Sequence, residues 1–181
     1  MPSPAVFLDR DGTIVEDPGF LHEPDKVRLL PGAADAIHRL NLAGFLVVVV
    51  TNQSGIARGM YTALEYEAVQ RRLAELLARQ AAHLDGAWFC PHHPDLSGPC
   101  ECRKPGTRLF RDAAGALGID LTRSWYVGDR LSDVEPGAAL GGRGILVRTG
   151  DGERHAAAAR AQGIPVVADL AAAVDAIVAA R

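Results

Sequence analysis

The sequence predicts an α/β protein built on a doubly wound, mostly parallel, Rossmann-like sheet with helices on both faces. Short apolar runs recur along the 181 residues, and within them polar and apolar side chains do not alternate. Such runs are typical of strands that are buried on both faces of a parallel sheet. Helical patterns separate the runs, and this β–α alternation favours parallel strands joined by helical crossovers.

Five apolar runs are the predicted strands, at residues 5–8, 45–50, 88–89, 125–127 and 145–147. Four helices are predicted, at residues 33–42, 62–83 and 107–117, with a last one that Asp169 caps and that runs through Ala180. Residues 62–65 have the sequence of a capping box, and Gly118 readily takes the left-handed conformation at a helix end. Without an internal repeat or a linker, residues 1–181 are predicted to form one domain, with no large cap domain between the motifs.

The composition excludes several classes of protein. With 19 basic and 22 acidic side chains, the net charge is -3 and there is no basic stripe, so no nucleic-acid partner is expected. No signal peptide pattern precedes the first strand, and no apolar run is long enough to cross a bilayer. Three cysteines is an odd number, which argues against a disulfide framework and favours a reduced, cytoplasmic protein. A monomer without a membrane partner is expected.

Four residues with useful chemistry follow the predicted strands. Asp9, Thr51, Cys90 and Asp129 each come at the carboxyl end of a strand. Ligands of open α/β sheets bind at this edge. The sequence therefore predicts that these four side chains converge on one rim of the sheet.

Two carboxylates separated by one residue are the strongest chemical feature of the sequence. Asp9 and Asp11 precede Gly12, where the chain must turn sharply, and their spacing permits one to act as nucleophile and metal ligand while the other handles a proton. A polar turn after a strand is the alternative interpretation. The segment 51–55 offers a hydroxyl and backbone N–H groups that can hold phosphate oxygens, although small polar loops are common.

Further side chains complete a candidate phosphate site. Asp129 could share a Mg²⁺ ion with Asp9, because Mg²⁺ prefers oxygen ligands. Arg103 and Lys104 directly follow the cysteine-containing loop 90–102, a candidate metal site, so their backbone is expected to be fixed. The pair is therefore predicted to clamp a phosphate rather than to form a solvated surface pair.

The loop 90–102 contains a second candidate metal site. Cys90, Cys100 and Cys102 with one imidazole form a set suited to tetrahedral Zn²⁺ that leaves no position open for chemistry, so the zinc is predicted to be structural. The spacing allows either His92 or His93 as the fourth ligand. Buried free cysteines beside a surface histidine, or a reactive thiol, are the alternatives.

These segments, in this order between residues 6 and 133, resemble the haloacid dehalogenase superfamily of phosphohydrolases. The resemblance implies that Asp9 attacks phosphorus and forms an aspartyl-phosphate. It implies that Asp11 protonates the leaving alcohol and then deprotonates the hydrolytic water. It also implies a Mg²⁺ ion held by Asp9, the backbone carbonyl of Asp11, and Asp129.

The resemblance assigns further roles. Thr51 and Lys104 bind the phosphoryl oxygens, and Asp133 orients the metal shell or Lys104. His92, and not His93, is the implied zinc ligand. Arg103 is implied to recognise the part of the substrate that lies away from the scissile phosphate.

The zinc loop joined to Arg103 and Lys104 narrows the resemblance to the branch of heptose 1,7-bisphosphate 7-phosphatases and histidinol-phosphate phosphatases. Residues 17–20 and 90–95 are more similar to the heptose enzymes, which implies removal of the 7-phosphate of D-glycero-D-manno-heptose 1,7-bisphosphate. The implied substrate contacts are Arg10, Asp17, Pro18, Gly19, Phe20, Asn52, Gln53, Ser54, Arg103 and Arg130. The loop from His92 to Cys100 is shorter than in the heptose enzymes, and Arg130 stands where lysine is common.

Three other functions remain open at this point. The closest is hydrolysis of histidinol phosphate or of small phosphomonoesters in general. A polynucleotide 3′-phosphatase would need a basic groove that the composition does not indicate. A zinc-stapled binding module without activity would be expected to lack a catalytic group, but all of them are present.

Overall fold

A fully parallel sheet forms the centre of the structure, a computed structural model that describes residues 2–180. The predicted fold class is confirmed; the predicted domain, 1–181, extends one residue beyond the described range at each end. Among these residues, six strands lie in the order β3-β2-β1-β4-β5-β6. They are β1 (Ala5–Leu8), β2 (Leu46–Asn52), β3 (Gly86–Cys90), β4 (Trp125–Gly128), β5 (Arg143–Val147) and β6 (Val166–Val167).

The helices of the described chain separate the strands. They are α1 (Ala33–Leu42), α2 (Ala63–Ala78), α3 (Pro94–Ser97), α4 (Arg108–Leu117), α5 (Leu131–Ala139), α6 (Gly152–Ala161) and α7 (Leu170–Ala179). The predicted capping box is confirmed, because the Thr62 hydroxyl accepts from the Glu65 N–H and the Glu65 carboxylate accepts from the Thr62 N–H. Asp169 caps α7 as predicted, and Gly118 ends α4 in the left-handed conformation.

The two faces of the sheet carry different helices because side chains alternate along each strand. Val6 and Leu8 of β1 point to the face that packs against α1, α2 and α7. Ala5 and Phe7 point to the opposite face, where α4 covers the sheet, and Val134 of α5 packs with α6 on Leu146. Both faces of the central strands are therefore buried, as the uninterrupted apolar runs predict.

Some elements differ from the sequence-based prediction. The helix predicted over 62–83 ends at Ala78, because the Ala82 N–H donates to the Leu77 carbonyl and Ala81 takes a left-handed φ of 56°. Strand β6 and helices α3, α5 and α6 were not predicted. Helix α5 contains Pro136 and Gly137, two residues that disfavour helices, and it forms through packing against β4 and β5.

The connections at the carboxyl edge of the sheet are loops. Between β1 and α1 the chain forms one short 3₁₀ helix (Pro24–Lys26), and no large cap domain covers the edge within the described residues. No helix among residues 2–180 is long and apolar enough to cross a membrane.

Candidate active site

The candidate site lies where the strand order reverses direction, between β1 and β4. Asp9 follows β1 and Asp129 follows β4, and the Asp9 N–H donates to the Val127 carbonyl at 3.0 Å. In open α/β sheets the crevice outside the carboxyl ends of the strands at such a switch point is the ligand site. The topology therefore brings both predicted carboxylates to one crevice.

A buried ammonium group joins two of the site's carboxylates. Nζ of Lys104 lies 2.7 Å from Oδ1 of Asp9 and 2.7 Å from Oδ1 of Asp133, and it donates to the Val50 carbonyl at 2.6 Å. Burial alone would lower the pKa of Lys104, but Asp133 and Asp9 outweigh it, so the pKa lies above its usual value. Lys104 is therefore a fixed positive charge beside Asp9.

The backbone of Lys104 is held by the end of β2. The Asn52 side chain accepts from the Lys104 N–H at 3.0 Å and donates to the Lys104 carbonyl at 3.2 Å. Lys104 lies 52 positions after Asn52 in the sequence, and this pair of hydrogen bonds holds its backbone where its ammonium group can reach Asp9 at the end of β1.

The carboxylates of Asp9, Asp129 and Asp133 fit a divalent cation. One oxygen from each of the three lies within 4.8 Å of the others. Oδ2 of Asp129 accepts from the Asp151 N–H at 2.7 Å, whereas Oδ1 is buried without a hydrogen-bond partner among the described residues. Burial and the charges of Asp9 and Asp133 raise the pKa of Asp129 to about 8. A Mg²⁺ ion would satisfy the unpartnered oxygen and relieve this repulsion.

Two glycines make room for the Asp129 carboxylate. Gly12 has a φ of 84°, and a Cβ there would lie 2.5 Å from Oδ2 of Asp129. A Cβ at Gly150 would clash with the same atom. The turn predicted at Gly12 therefore needs glycine for its backbone conformation and for the close approach of Asp129.

Asp11 is held from two sides, and its side chain lies outside the cluster of carboxylates. The Arg10 guanidinium donates to both oxygens, through Nε to Oδ1 at 3.0 Å and through Nη2 to Oδ2 at 2.9 Å. Nε2 of Gln53 donates to Oδ2 of Asp11 at 2.8 Å and to the Thr51 hydroxyl at 2.9 Å. Burial raises the pKa of Asp11, and the nearby Arg10 opposes this shift only in part. The Asp11 side chain is therefore not part of the candidate metal site. Coordination of Mg²⁺ by the backbone carbonyl of Asp11 stays a prediction.

A polar cleft with a volume of about 490 Å³ opens onto these groups. Asp9, Asp11, Thr51 and Lys104 line it together with eight of the ten predicted substrate-binding residues, namely Asp17, Gly19, Phe20, Asn52, Gln53, Ser54, Arg103 and Arg130. Pro18 does not line the cleft. The Arg10 side chain does not line it either, because it is fully buried and directed onto Asp11, and a substrate contact by Arg10 stays a prediction.

The cleft is also lined by four side chains that were not predicted to contact the substrate. They are Arg58, Tyr61, His93 and Ser132. Nη2 of Arg58 lies 2.8 Å from Nε2 of His93, and its guanidinium faces the Phe20 ring at 5.9 Å. A cation in the loop that follows β2 at this edge was the available sequence signal for Arg58.

The cysteine cluster lies beside the cleft. Sγ of Cys90 is 3.7 Å from Sγ of Cys100 and 2.9 Å from Sγ of Cys102, and Nδ1 of His92 is 3.2 Å from Sγ of Cys102. All of these separations exceed an S–S bond of about 2.05 Å, so the cysteines are not disulfide-linked. The Cys90–Cys100 distance is close to the roughly 3.8 Å edge of a tetrahedron with Zn–S bonds of about 2.3 Å, whereas the Cys90–Cys102 distance is shorter than that edge. His93 lies outside the cluster and caps α3.

A parallel sheet whose switch point gathers an aspartate pair, a buried lysine and a third carboxylate defines a hydrolase of the haloacid dehalogenase class. In agreement, a HAD-hydrolase-like family model matches residues 101–173. The chain is 45% identical over 153 residues to the D-glycero-β-D-manno-heptose-1,7-bisphosphate 7-phosphatase of Escherichia coli O6:H1, a match that covers 81% of this chain and 80% of that protein. It therefore belongs to the family of heptose-1,7-bisphosphate 7-phosphatases within the haloacid dehalogenase superfamily.

Two further comparisons agree. The D-glycero-D-manno-heptose-1,7-bisphosphate 7-phosphatase of Thermosynechococcus vestitus is 43% identical over 163 residues, covering 85% of this chain and 83% of that protein. The crystal structure of D,D-heptose 1,7-bisphosphate phosphatase from B. bronchiseptica, complexed with magnesium and phosphate, has a TM-score of 0.89 at 36% identity, over 98% of this chain and 99% of that one.

Proposed function

We propose that this chain is a Mg²⁺-dependent phosphomonoester hydrolase that removes the 7-phosphate of D-glycero-D-manno-heptose 1,7-bisphosphate. The chemistry rests on one observation above all, the Lys104 ammonium that bridges Asp9 and Asp133 at the switch point of the sheet. The substrate rests on the similarity to named heptose bisphosphate phosphatases over four fifths of the chain.

In the proposed reaction Asp9 attacks the 7-phosphorus in line, and the bond from phosphorus to the sugar oxygen breaks as an aspartyl-phosphate forms. Lys104 fixes the orientation of the Asp9 carboxylate, and with the Thr51 hydroxyl it faces the phosphoryl oxygens. Mg²⁺ held by Asp9, Asp129 and the backbone carbonyl of Asp11 would offset the negative charge of the transferring group.

Asp11 is the proposed proton-transfer group in both halves of the reaction. Its raised pKa suits a general acid, which gives its proton to the leaving sugar oxygen. In the second half the resulting carboxylate takes a proton from the water that attacks the aspartyl-phosphate, and Asp9 is regenerated. Asp11 lines the cleft, so it can reach a bound ester.

We propose that Cys90, His92, Cys100 and Cys102 bind a structural Zn²⁺ ion. The four ligand atoms lie within 4.8 Å of one another, and a tetrahedral set of this composition leaves no position for substrate. The Arg103 guanidinium donates to the His92 carbonyl at 3.3 Å, so an ordered loop helps to position a cleft residue.

A substrate panel tests the proposal. Phosphate release from heptose 1,7-bisphosphate, histidinol phosphate and a 3′-phosphorylated oligonucleotide is compared as kcat/KM with Mg²⁺, and Asp9→Asn is the blank. We expect the heptose bisphosphate to give the highest value and ³¹P NMR to show loss of the 7-phosphate with retention of the 1-phosphate. A higher kcat/KM for histidinol phosphate would assign the chain to that alternative.

That the enzyme is monomeric and cytoplasmic stays a prediction.

A further inference from the structure

Tyr61 lines the cleft and is connected to Asp11 through one side chain, Gln53. Its hydroxyl donates to Oε1 of Gln53 at 2.5 Å, and Nε2 of the same amide donates to Oδ2 of Asp11 at 2.8 Å. Burial raises the pKa of Tyr61 to about 12, so the hydroxyl keeps its proton and remains a donor. Because only an amide oxygen accepts this bond, Tyr61 fixes which end of the Gln53 amide faces Asp11.

The Tyr61 ring is itself held in place. It stacks on the His22 ring with centroids 5.6 Å apart and an interplanar angle of 3°. A side chain at Gly55 would clash with the ring, so the glycine leaves the space that the ring fills. The hydroxyl is therefore delivered to Gln53 by a rigid, packed side chain.

Arg10 supplies the second hold on Asp11. Its side chain is fully buried, and its guanidinium faces the Tyr66 ring at 5.2 Å, which in turn packs on Phe89 at 4.1 Å. An aspartate carboxyl rotates easily about its last torsion, because that torsion is broad. The two-pronged bond from Arg10 and the third bond from Gln53 fix this rotation together.

We propose that Tyr61 is a positioning residue for proton transfer, which acts through Gln53 and with Arg10 to hold the Asp11 carboxyl in the orientation that meets the leaving oxygen of the substrate. This inference rests on the proposed function, since it assigns a role within the same reaction. A proton-transfer group must lie within hydrogen-bonding distance of the atom it serves, so loss of its orientation slows the steps that need the proton.

The leaving group separates this role from a structural one. A sugar alkoxide needs a proton as it departs, whereas 4-nitrophenolate departs readily without one. The value of kcat/KM reports steps up to the formation of the aspartyl-phosphate. Tyr61→Phe removes the hydroxyl and keeps the ring, and we expect about a tenfold loss in kcat/KM for heptose 1,7-bisphosphate with less than about a twofold loss for 4-nitrophenyl phosphate.

Two comparisons complete the experiment. Tyr126→Phe makes the same chemical change at the start of β4, where the hydroxyl donates to the Leu121 carbonyl at 3.3 Å, and it should leave the ratio of the two substrates unchanged. In a Gln53→Met background the Tyr61→Phe change should have no further effect, because its route to Asp11 is already lost.

The outcomes distinguish this inference from the proposed function. A wild-type chain that hydrolyses neither ester overturns the proposed function. An active wild type, combined with equal losses for both esters in Tyr61→Phe or with full additivity in the Gln53→Met background, overturns only the role of Tyr61.

Discussion

Replacement of Lys104 tests whether the carboxylates at the switch point are buried charges that need a cation. Lys104→Met removes the ammonium that lies 2.7 Å from both Asp9 and Asp133 and leaves a neutral side chain of similar length. Three carboxylates with oxygens within 4.8 Å of one another then remain without their cation.

The expected loss of stability is large. Removal of one partner from a buried ion pair costs about 3–5 kcal/mol, and the Lys104 side chain is only 2% exposed. We therefore expect the free energy of unfolding in EDTA to fall by about 4 kcal/mol. Domains are stable by about 5–15 kcal/mol, so the variant should remain folded with a narrow margin.

Urea unfolding followed by circular dichroism measures this change. The chain has one other lysine, Lys26, whose ammonium pairs with Glu23 at 2.6 Å in an exposed position, so Lys26→Met should cost less than about 1 kcal/mol. Mg²⁺ should raise the stability of Lys104→Met more than that of the wild type, because the ion replaces the missing cation. Lys104→Met should also lose phosphatase activity by at least about a hundredfold.

A second substitution separates charge from packing. Lys104→Met combined with Asp133→Asn should recover part of the lost stability and none of the activity, since it removes one of the repelling charges. If the free energy of unfolding of Lys104→Met in EDTA lies within about 1 kcal/mol of the wild-type value, the carboxylates are not held as buried charges and the reasoning is refuted.

Three further predictions concern the metal loops and the cleft. Cys102→Ser should abolish stoichiometric zinc in elemental analysis and raise KM, and full zinc content with unchanged kinetics would contradict the zinc site. Arg58→Gln should lower kcat/KM about tenfold for heptose 1,7-bisphosphate and at most about threefold for a heptose 7-monophosphate, because Arg58 is a cation of the cleft that can pair with a second phosphate. Equal losses for the two substrates would exclude this role. Gly12→Ala should destabilise the protein by more than about 2 kcal/mol and weaken Mg²⁺ binding in calorimetry. The control is Gly163→Ala, where φ is 74° and nothing lies within 4 Å of the added Cβ. It should cost only about 1–2 kcal/mol and leave Mg²⁺ binding normal.

The edge of the sheet was predictable because buried parallel strands have a simple pattern. The uninterrupted apolar runs located β1, β2 and β4, and the polar residues directly after them had to meet at one edge. Strand β6 was not predicted because its two half-buried valines are too few to show a strand pattern. Helix α5 was not predicted because it contains Gly137, which disfavours helices. Close packing requires glycine there, since a Cβ would lie 3.0 Å from the Gly144 nitrogen.

The partners within the site were harder to predict than its members. Arg10 lies in sequence between Asp9 and Asp11, the two carboxylates with proposed catalytic roles, and the family resemblance implied that it contacts the substrate. Its burial depends on where α2 places the Tyr66 ring, and no local pattern carries that information. Tyr61 and Arg58 lie in the irregular loop between β2 and α2, where neither period of a regular element indicates which side chains face the cleft.

The two supports of the Lys104 segment differ in what they control. Asn52 grips the backbone of Lys104 from the end of β2, and this grip does not involve the cysteine cluster. Arg103 is instead tied to the His92 carbonyl, within the cluster itself. Loss of zinc should therefore displace Arg103 more than Lys104, so Cys102→Ser should raise KM by a larger factor than it lowers kcat. Asn52→Ala should do the reverse, because it releases the lysine that fixes Asp9 while the cluster stays intact.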